Sequence, residues 1–333
     1  MKKIILIVSV IIVVLSCKKE HSNEFFPYPD NDLNDTNWYS VIPTNARVKQ
    51  LDSIFDITAI TDSIHLMQGG TLSFNDSPGI VRINFPPYFT MIPGTLVQGK
   101  VKVEVKLLKT KGDMVKTDRP TMSYGSLLVT GGALHIRVTY NGQELSMAPG
   151  ASIELQMITK MSDNNPSQNM KVFYGKEDAY PPTSVQTFTW LPSTDSSNVA
   201  WSFMDSSSQR NGYMFQSTRF GWVNCDYFSD STQPRTKAVV TLPPNFTNAN
   251  TNVYAVLHSP DDIVAQLIGD PVTKNFSINN IYTGKSVTFV TLSFINGDLY
   301  LGSSQTTITQ NMTVNIVPQQ KTKQQIEAFL DNL

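Results

Sequence analysis

The chain has 333 residues, room for two or three domains of ordinary size. Its 26 Lys and Arg almost balance 27 Asp and Glu, for a formal net charge of -1. No basic stripe with interleaved aromatics occurs, so the composition excludes a nucleic-acid binder that works by charge. Charged residues are sparse at 16% while Ser, Thr and Asn are plentiful, as in exported β proteins and unlike a helical cytosolic enzyme.

In chain order, Lys2 and Lys3 come first and an apolar run from Ile4 to Leu15 follows. The run has the length of a signal-peptide core and falls short of the ~20 residues that span a bilayer. It ends at Val14-Leu15-Ser16-Cys17, which resembles the bacterial lipobox. The resemblance implies a signal peptide over residues 1–16, removed before Cys17, and lipid on the Cys17 sulfur and amine. It also implies an outer-membrane location, lipid-anchored and either periplasmic or surface-exposed. Several acyl chains hold a protein at a membrane where one binds only marginally. An uncleaved anchor and an ordinary secretory signal are the other readings. Residues 17–37 are polar, unpatterned and proline-punctuated, a tether between lipid and fold. Within it Lys18-Lys19-Glu20 resembles the surface-export signal of Bacteroidota lipoproteins. "DNDLND" places Asp30, Asp32 and Asn34 at partial calcium-loop spacing, without the Gly and Glu that such a loop needs. It reads as a turn, with Asp35 or Thr36 capping a short helix; neither a metal nor a cofactor is expected.

Residues 38–160 read as a β-sandwich. "VKVEVKL" alternates Val101, Val103, Val105 and Leu107 against Lys102, Glu104 and Lys106. Leu134, Ile136, Val138 and Tyr140 alternate with His135, Arg137 and Thr139, and the strand then meets Asn141-Gly142, a type I′ hairpin signal. Ile153, Leu155 and Met157 point inward from another strand. The stretch Gly69 to Leu108 resembles the spectrin-binding β-domain of ankyrins and netrin receptors. The features that carry this are Gly69-Gly70, an apolar strand ending in Pro86-Pro87, Gly99 and the alternating Val strand. Tyr88-Phe89 stands where Ala-Leu is expected, so the resemblance implies fold alone. "MSYGSLLVTGGALHIRVTYNGQELSMAPGASIELQM", taken with "FGWVNCDYF", resembles a family of uncharacterised Bacteroidota envelope lipoproteins, which implies class and location and brings no activity.

Residues 161–234 form a middle β-rich segment of short strands between loops. Residues 235–333 carry seven or so strands, with Asn296-Gly297 as a hairpin turn, and match an immunoglobulin-like sandwich. "KTKQQIEAFLDNL" places Ile326, Phe329 and Leu330 on one stripe and predicts a short C-terminal helix. The fold expected is all-β, with tandem β-sandwich domains.

Chemical motifs are scarce. No nucleophile elbow, H-E-x-x-H or Cys-x-x-Cys occurs. His21, His65, His135 and His258 fall on separate segments, with His135 at an outward, solvated position. Glu104, Glu144 and Glu154 occupy outward strand faces rather than a paired-carboxylate cleft. In "RFGWVNCDYF" alternation puts Trp222, Asn224 and Asp226 on one face and Val223, Cys225 and Tyr227 on the other. Cys225 then reads as a small core residue and Asp226 as a partner for backbone donors. Planar aromatics can serve as sugar platforms or as core; the candidates are Trp38, Tyr180, Trp190 and Trp201. Asp-Ser triplets at Ser53, Ser63 and Ser231 resemble the Bacteroidota O-glycosylation signal.

The sequence is thus read as a non-catalytic, lipid-anchored envelope protein whose sandwiches bind or scaffold a glycan or an envelope protein, with the membrane as a further partner and nucleic acid excluded. The alternatives are a surface hydrolase with a dispersed site, such as Asp226 with His258, and a fimbria-like subunit that polymerises by strand donation.

Overall fold

The computed structural model describes residues 36–333 except 77–78, 92–98, 159–169, 178–187, 195–200, 206–209, 231 and 259–262. Alternating segments become strands whose apolar faces share a core. In order they are β1 (Ile60–His65), β2 (Gly70–Asp76), β3 (Gly79–Phe85), β4 (Lys100–Leu108), β5 (Ser126–Tyr140) and β6 (Ile153–Ile158). Then follow β7 (Lys171–Glu177), β8 (Phe188–Pro192), β9 (Trp201–Asp205), β10 (Arg210–Ser217) and β11 (Gly221–Phe228). One sheet runs β1-β4-β5-β11-β7-β8 and the other β9-β10-β6-β3-β2. Val101, Val103, Val105, Leu134, Ile136, Val138, Val223 and Cys225 of the first face Phe74, Val81, Ile83, Phe85, Ile153, Leu155 and Phe215 of the second. The strands of 161–234 are therefore not a unit of their own. β11 lies between β5 and β7, and β10 extends the second sheet beside β6.

The glycine and proline pairs singled out in the sequence meet in space. Gly69 has φ 64, and a Cβ there would lie 2.4 Å from the Phe85 carbonyl oxygen and 2.8 Å from Pro87 N. Only glycine allows that backbone approach at that φ.

The C-terminal sandwich contains β12 (Arg235–Thr241), β13 (Thr251–Leu257), β14 (Val264–Asp270), β15 (Asn275–Tyr282), β16 (Ser286–Ile295), β17 (Asp298–Thr307) and β18 (Met312–Asn315). Their order is β18-β12-β15-β14-β13-β16-β17, and β18 pairs parallel to β12. Ala238, Val253, Ala255, Leu267, Phe276, Ile278, Val287 and Phe289 fill the interior. β14 pairs with β13 over Val264–Leu267 and with β15 over Ile268–Asp270, so it passes from one layer of the sandwich to the other. Both Asn-Gly pairs take the positive φ of a type I′ turn, 50° and 82° at Asn141-Gly142 and 54° and 86° at Asn296-Gly297.

Thr36–Tyr39 carries no helix, so Thr36 caps none there; Asp30, Asp32, Asn34 and Asp35 lie outside the described residues. The segment instead lies on the C-terminal sandwich: Tyr39 N donates to Asn248 Oδ1 at 3.0 Å, and Asn248 Nδ2 donates to Tyr39 O at 2.6 Å. Among the described residues helix occurs as a 3-10 turn (Arg47–Gln50) running into α1 (Leu51–Ile54), as α2 (Lys111–Lys116) and as the expected α3 (Lys323–Leu330). Both α2 and α3 start with a capping box, Thr110 with Asp113 and Thr322 with Gln325.

These helices cover a second apolar layer, the seam between the sandwiches. Leu51, Phe55, Met114, Ile326 and Leu330 pack there against Leu108, Phe173, Phe188 and Trp190 of the first sandwich and Tyr254, Val256, Val264 and Val290 of the second. β13 and β16 are thus buried on both faces, which explains the unbroken run Val253–Leu257 of β13.

Candidate functional site

The loop Thr117–Thr121 leaves α2 and crosses the seam. It is tied to the second sandwich at Val264, where Thr121 N donates to Val264 O at 2.7 Å and Val264 N donates to Thr121 Oγ1 at 2.9 Å. At its middle Asp118 takes a left-handed φ of 52°, a conformation that Asp tolerates better than most residues. Asp118 Oδ1 accepts hydrogen bonds from the Tyr254 hydroxyl at 2.7 Å and Gln266 Nε2 at 3.1 Å. Burial raises the Asp118 acid above the usual carboxylate value; the Tyr254 hydrogen bond and the Arg119 charge oppose this, and the nearby Asp52 charge adds to it.

Arg119 occupies the centre. Its Nη1 donates to the Thr117 and Asp118 carbonyls at 2.8 and 3.0 Å, and its Nη2 pairs with Glu177 Oε1 at 2.6 Å. The guanidinium lies 4.5 Å from the Phe188 ring centroid and 5.2 Å from that of Trp222, a cation–π arrangement. Two cavities adjoin it. One, about 220 Å³, is walled by Asp52, Asp118, Asn248, Asn252 and Gln266 over Phe276. The other, about 280 Å³, is lined by Asp52, Asp56, Lys106, His135 and Trp222. Lys106 Nζ reaches both Asp56 oxygens at 2.7 Å. These walls offer amide, carboxyl and guanidinium groups, the partners that a hydroxyl-rich ligand needs. Among the described residues no group of three or more His, Cys, Asp or Glu could hold a metal ion.

His135 is corrected from solvated to half-buried. It does point out of the first sheet, but α1 and the Arg119 loop cover that face, and its ring sits 4.9 Å from that of Trp222. Burial, helped by Lys106, lowers its pKa and favours the neutral imidazole. Trp190 is not a platform: it is 1% exposed, and its Nε1 donates to Pro120 O at 3.0 Å, which makes it the pillar beneath the loop. Trp38 is half-buried, its ring 5.1 Å from that of Phe276. Trp201 lies in β9, with its side chain outside the described set, and Cys17, Tyr180 and Ser231 fall outside the described residues. Ser53 and Ser63 are exposed, and the Ser53 hydroxyl donates to Gln50 O at 2.8 Å.

Glu104 is tied to Lys102 and Arg137 at 2.8 and 3.0 Å, and Glu144 to Arg137 at 3.3 Å, all on the sheet surface. Asp226 and His258 do not form a site. Asp226 is fully buried and accepts from Asn224 Nδ2 at 2.7 Å, whereas His258 Nε2 lies 2.8 Å from Thr288 Oγ1. Cys225 is buried core; burial, with the Asp226 charge, pushes its thiol well up, the reverse of an activated nucleophile.

The Asp118-Arg119 pair was the missed element. Its signal was an acid and a base directly before Pro120 in a chain poor in charge, and proline restricts the preceding residue to extended conformations. Comparison with known proteins returned no matching family model, no matching curated protein and no matching solved structure.

Proposed function

We propose that this is a non-catalytic, lipid-anchored protein of the cell envelope that binds a glycan with its sandwich modules. The supporting observation is the cleft around Arg119, whose charges are largely partnered within the protein while Asn252, Asp52 and Asp118 line an opening. Fixed polar groups of this kind hydrogen-bond hydroxyls without being poised to transfer protons. The anchor is Cys17, and its role is to raise the local concentration of binding sites at the membrane. Among the described residues no helix is long and apolar enough to cross a membrane.

Two measurements test the reading. Cys17→Ala should abolish labelling by a clickable palmitate; unchanged labelling removes the anchor. A glycan array probed with the full-length chain in mild detergent should give reproducible hits; a blank array moves the function to scaffolding of an envelope protein. An enzyme reading is kept by one observation, that His135 shares a cavity with Asp52 and Asp56. Turnover of chromogenic glycosides or esters that vanishes in His135→Ala would put that reading first.

A further inference from the structure

We propose that the protein has a second glycan subsite, apart from the Arg119 cleft, with Phe228 as its stacking platform. The inference rests on the glycan reading above and adds the site. The cleft lies where the end of β11 and the start of β5 meet β12 and β15. It is about 350 Å³ and is lined by Ser126, Leu127, Phe228, Ser229, Arg235 and Asn280.

Phe228 is 45% exposed although it ends a strand whose other residues are largely buried. Its ring is braced edge-on by Phe173 at 5.5 Å and 68°, which leaves a fixed apolar surface facing the solvent. Burying such a ring under the C–H face of a pyranose removes apolar area from water on both partners. The polar groups beside it are also fixed. Arg235 Nη1 donates to Asn280 Oδ1 at 2.9 Å, its Nη2 donates to Asp230 O at 2.9 Å, and its guanidinium lies 4.8 Å from the Tyr282 ring centroid. Asn280 Nδ2 donates to Gly125 O at 3.3 Å, which ties the cleft to the neighbouring turn. Ser229 Oγ accepts from Arg235 Nη2 at 3.3 Å, so its own proton is left to donate. An aromatic face with hydroxyl, amide and guanidinium partners, and no carboxylate among its lining residues, suits a sugar ring.

A separate observation points to the same place. Tyr124 and Gly125 turn the chain between Ser123 and Ser126, with φ of 45° and 82°. Asn, Asp or Gly adopts that first position at lower cost than a bulky aromatic. Tyr124 is nonetheless 57% exposed, next to Gly125, whose carbonyl accepts from Asn280 of the cleft. Backbone strain of this kind collects at ligand-binding positions.

The test is the same array, read with variants of the full-length chain. Wild-type hits should fall about tenfold or more in Phe228→Ala, the loss expected on truncating an aromatic anchor. They should persist in Phe228→Tyr, which keeps the ring. Wild-type hits that survive Phe228→Ala overturn the site and leave glycan binding standing. A blank wild-type array overturns both. If Phe228→Ala does not fold, Phe228→Leu, apolar but without a ring, takes its place: binding by Leu equal to that by Tyr overturns the platform.

Discussion

Asp226 and His135 bend the pH dependence of stability in opposite directions. Asp226 is buried at a bulge of β11, and burial raises its acid well above the ordinary value, against hydrogen bonding from Thr130 and Gly131. An unfolded aspartate ionises near ~3.9. Above that pH the unfolded chain gives up a proton that the folded protein keeps, so stability falls as pH climbs toward the raised value. His135 works from the other side: its pKa is lowered, so stability falls as pH drops below the unfolded-state value of ~6.5. Asp226→Asn, nearly isosteric and always neutral, should therefore be more stable than wild type at pH 8 and indistinguishable from it at pH 3.5, measured by urea unfolding. A constant difference between the two would mean that Asp226 is ionised in the fold. Cys225 was legible as core at this scale because alternation alone gives its face. Trp190 and His135 were not: their environment is set by Pro120 and Arg119, distant along the chain.

At the scale of elements, α3 holds the seam. A Cβ on Gly112 of α2 would stand 1.9 Å from Leu330 O, so the two helices touch backbone to side-chain position with no room between them. Gly112→Ala must push α3 away, with an expected cost of about 1–3 kcal/mol. Leu330→Ala, at 0% exposure, should cost about 2–5 kcal/mol by leaving a cavity. Both are read as shifts in the denaturant midpoint; a midpoint unchanged in both would mean that α3 contributes little. The helix itself was readable from its apolar stripe and its Thr322–Gln325 box. What its stripe packs on was not, because the continuous apolar run of β13 identifies a doubly buried strand without naming what covers it. α2 carries the same box at Thr110–Asp113 in a segment too short to show helical periodicity.

For the whole molecule, the seam predicts cooperative unfolding. Domains joined by a small polar interface melt apart, but these share Leu51, Phe55, Trp190, Tyr254, Ile326 and Leu330 in one apolar cluster. Calorimetry should show a single transition with equal calorimetric and van't Hoff enthalpies; two resolved transitions would show that the sandwiches melt independently. The all-β class followed from alternation and turn residues that any stretch of chain displays. The pairing of β11 between β5 and β7 did not, since strand order depends on contacts across about a hundred residues that leave no local mark.

The seam has a further consequence, for biogenesis. It draws on Ile42 and Leu51 and, far later in the sequence, on Ile326 and Leu330. A ribosome makes these residues far apart in time, so the seam is not complete until residue 330 has been synthesised. Until then the growing chain carries an open apolar flank.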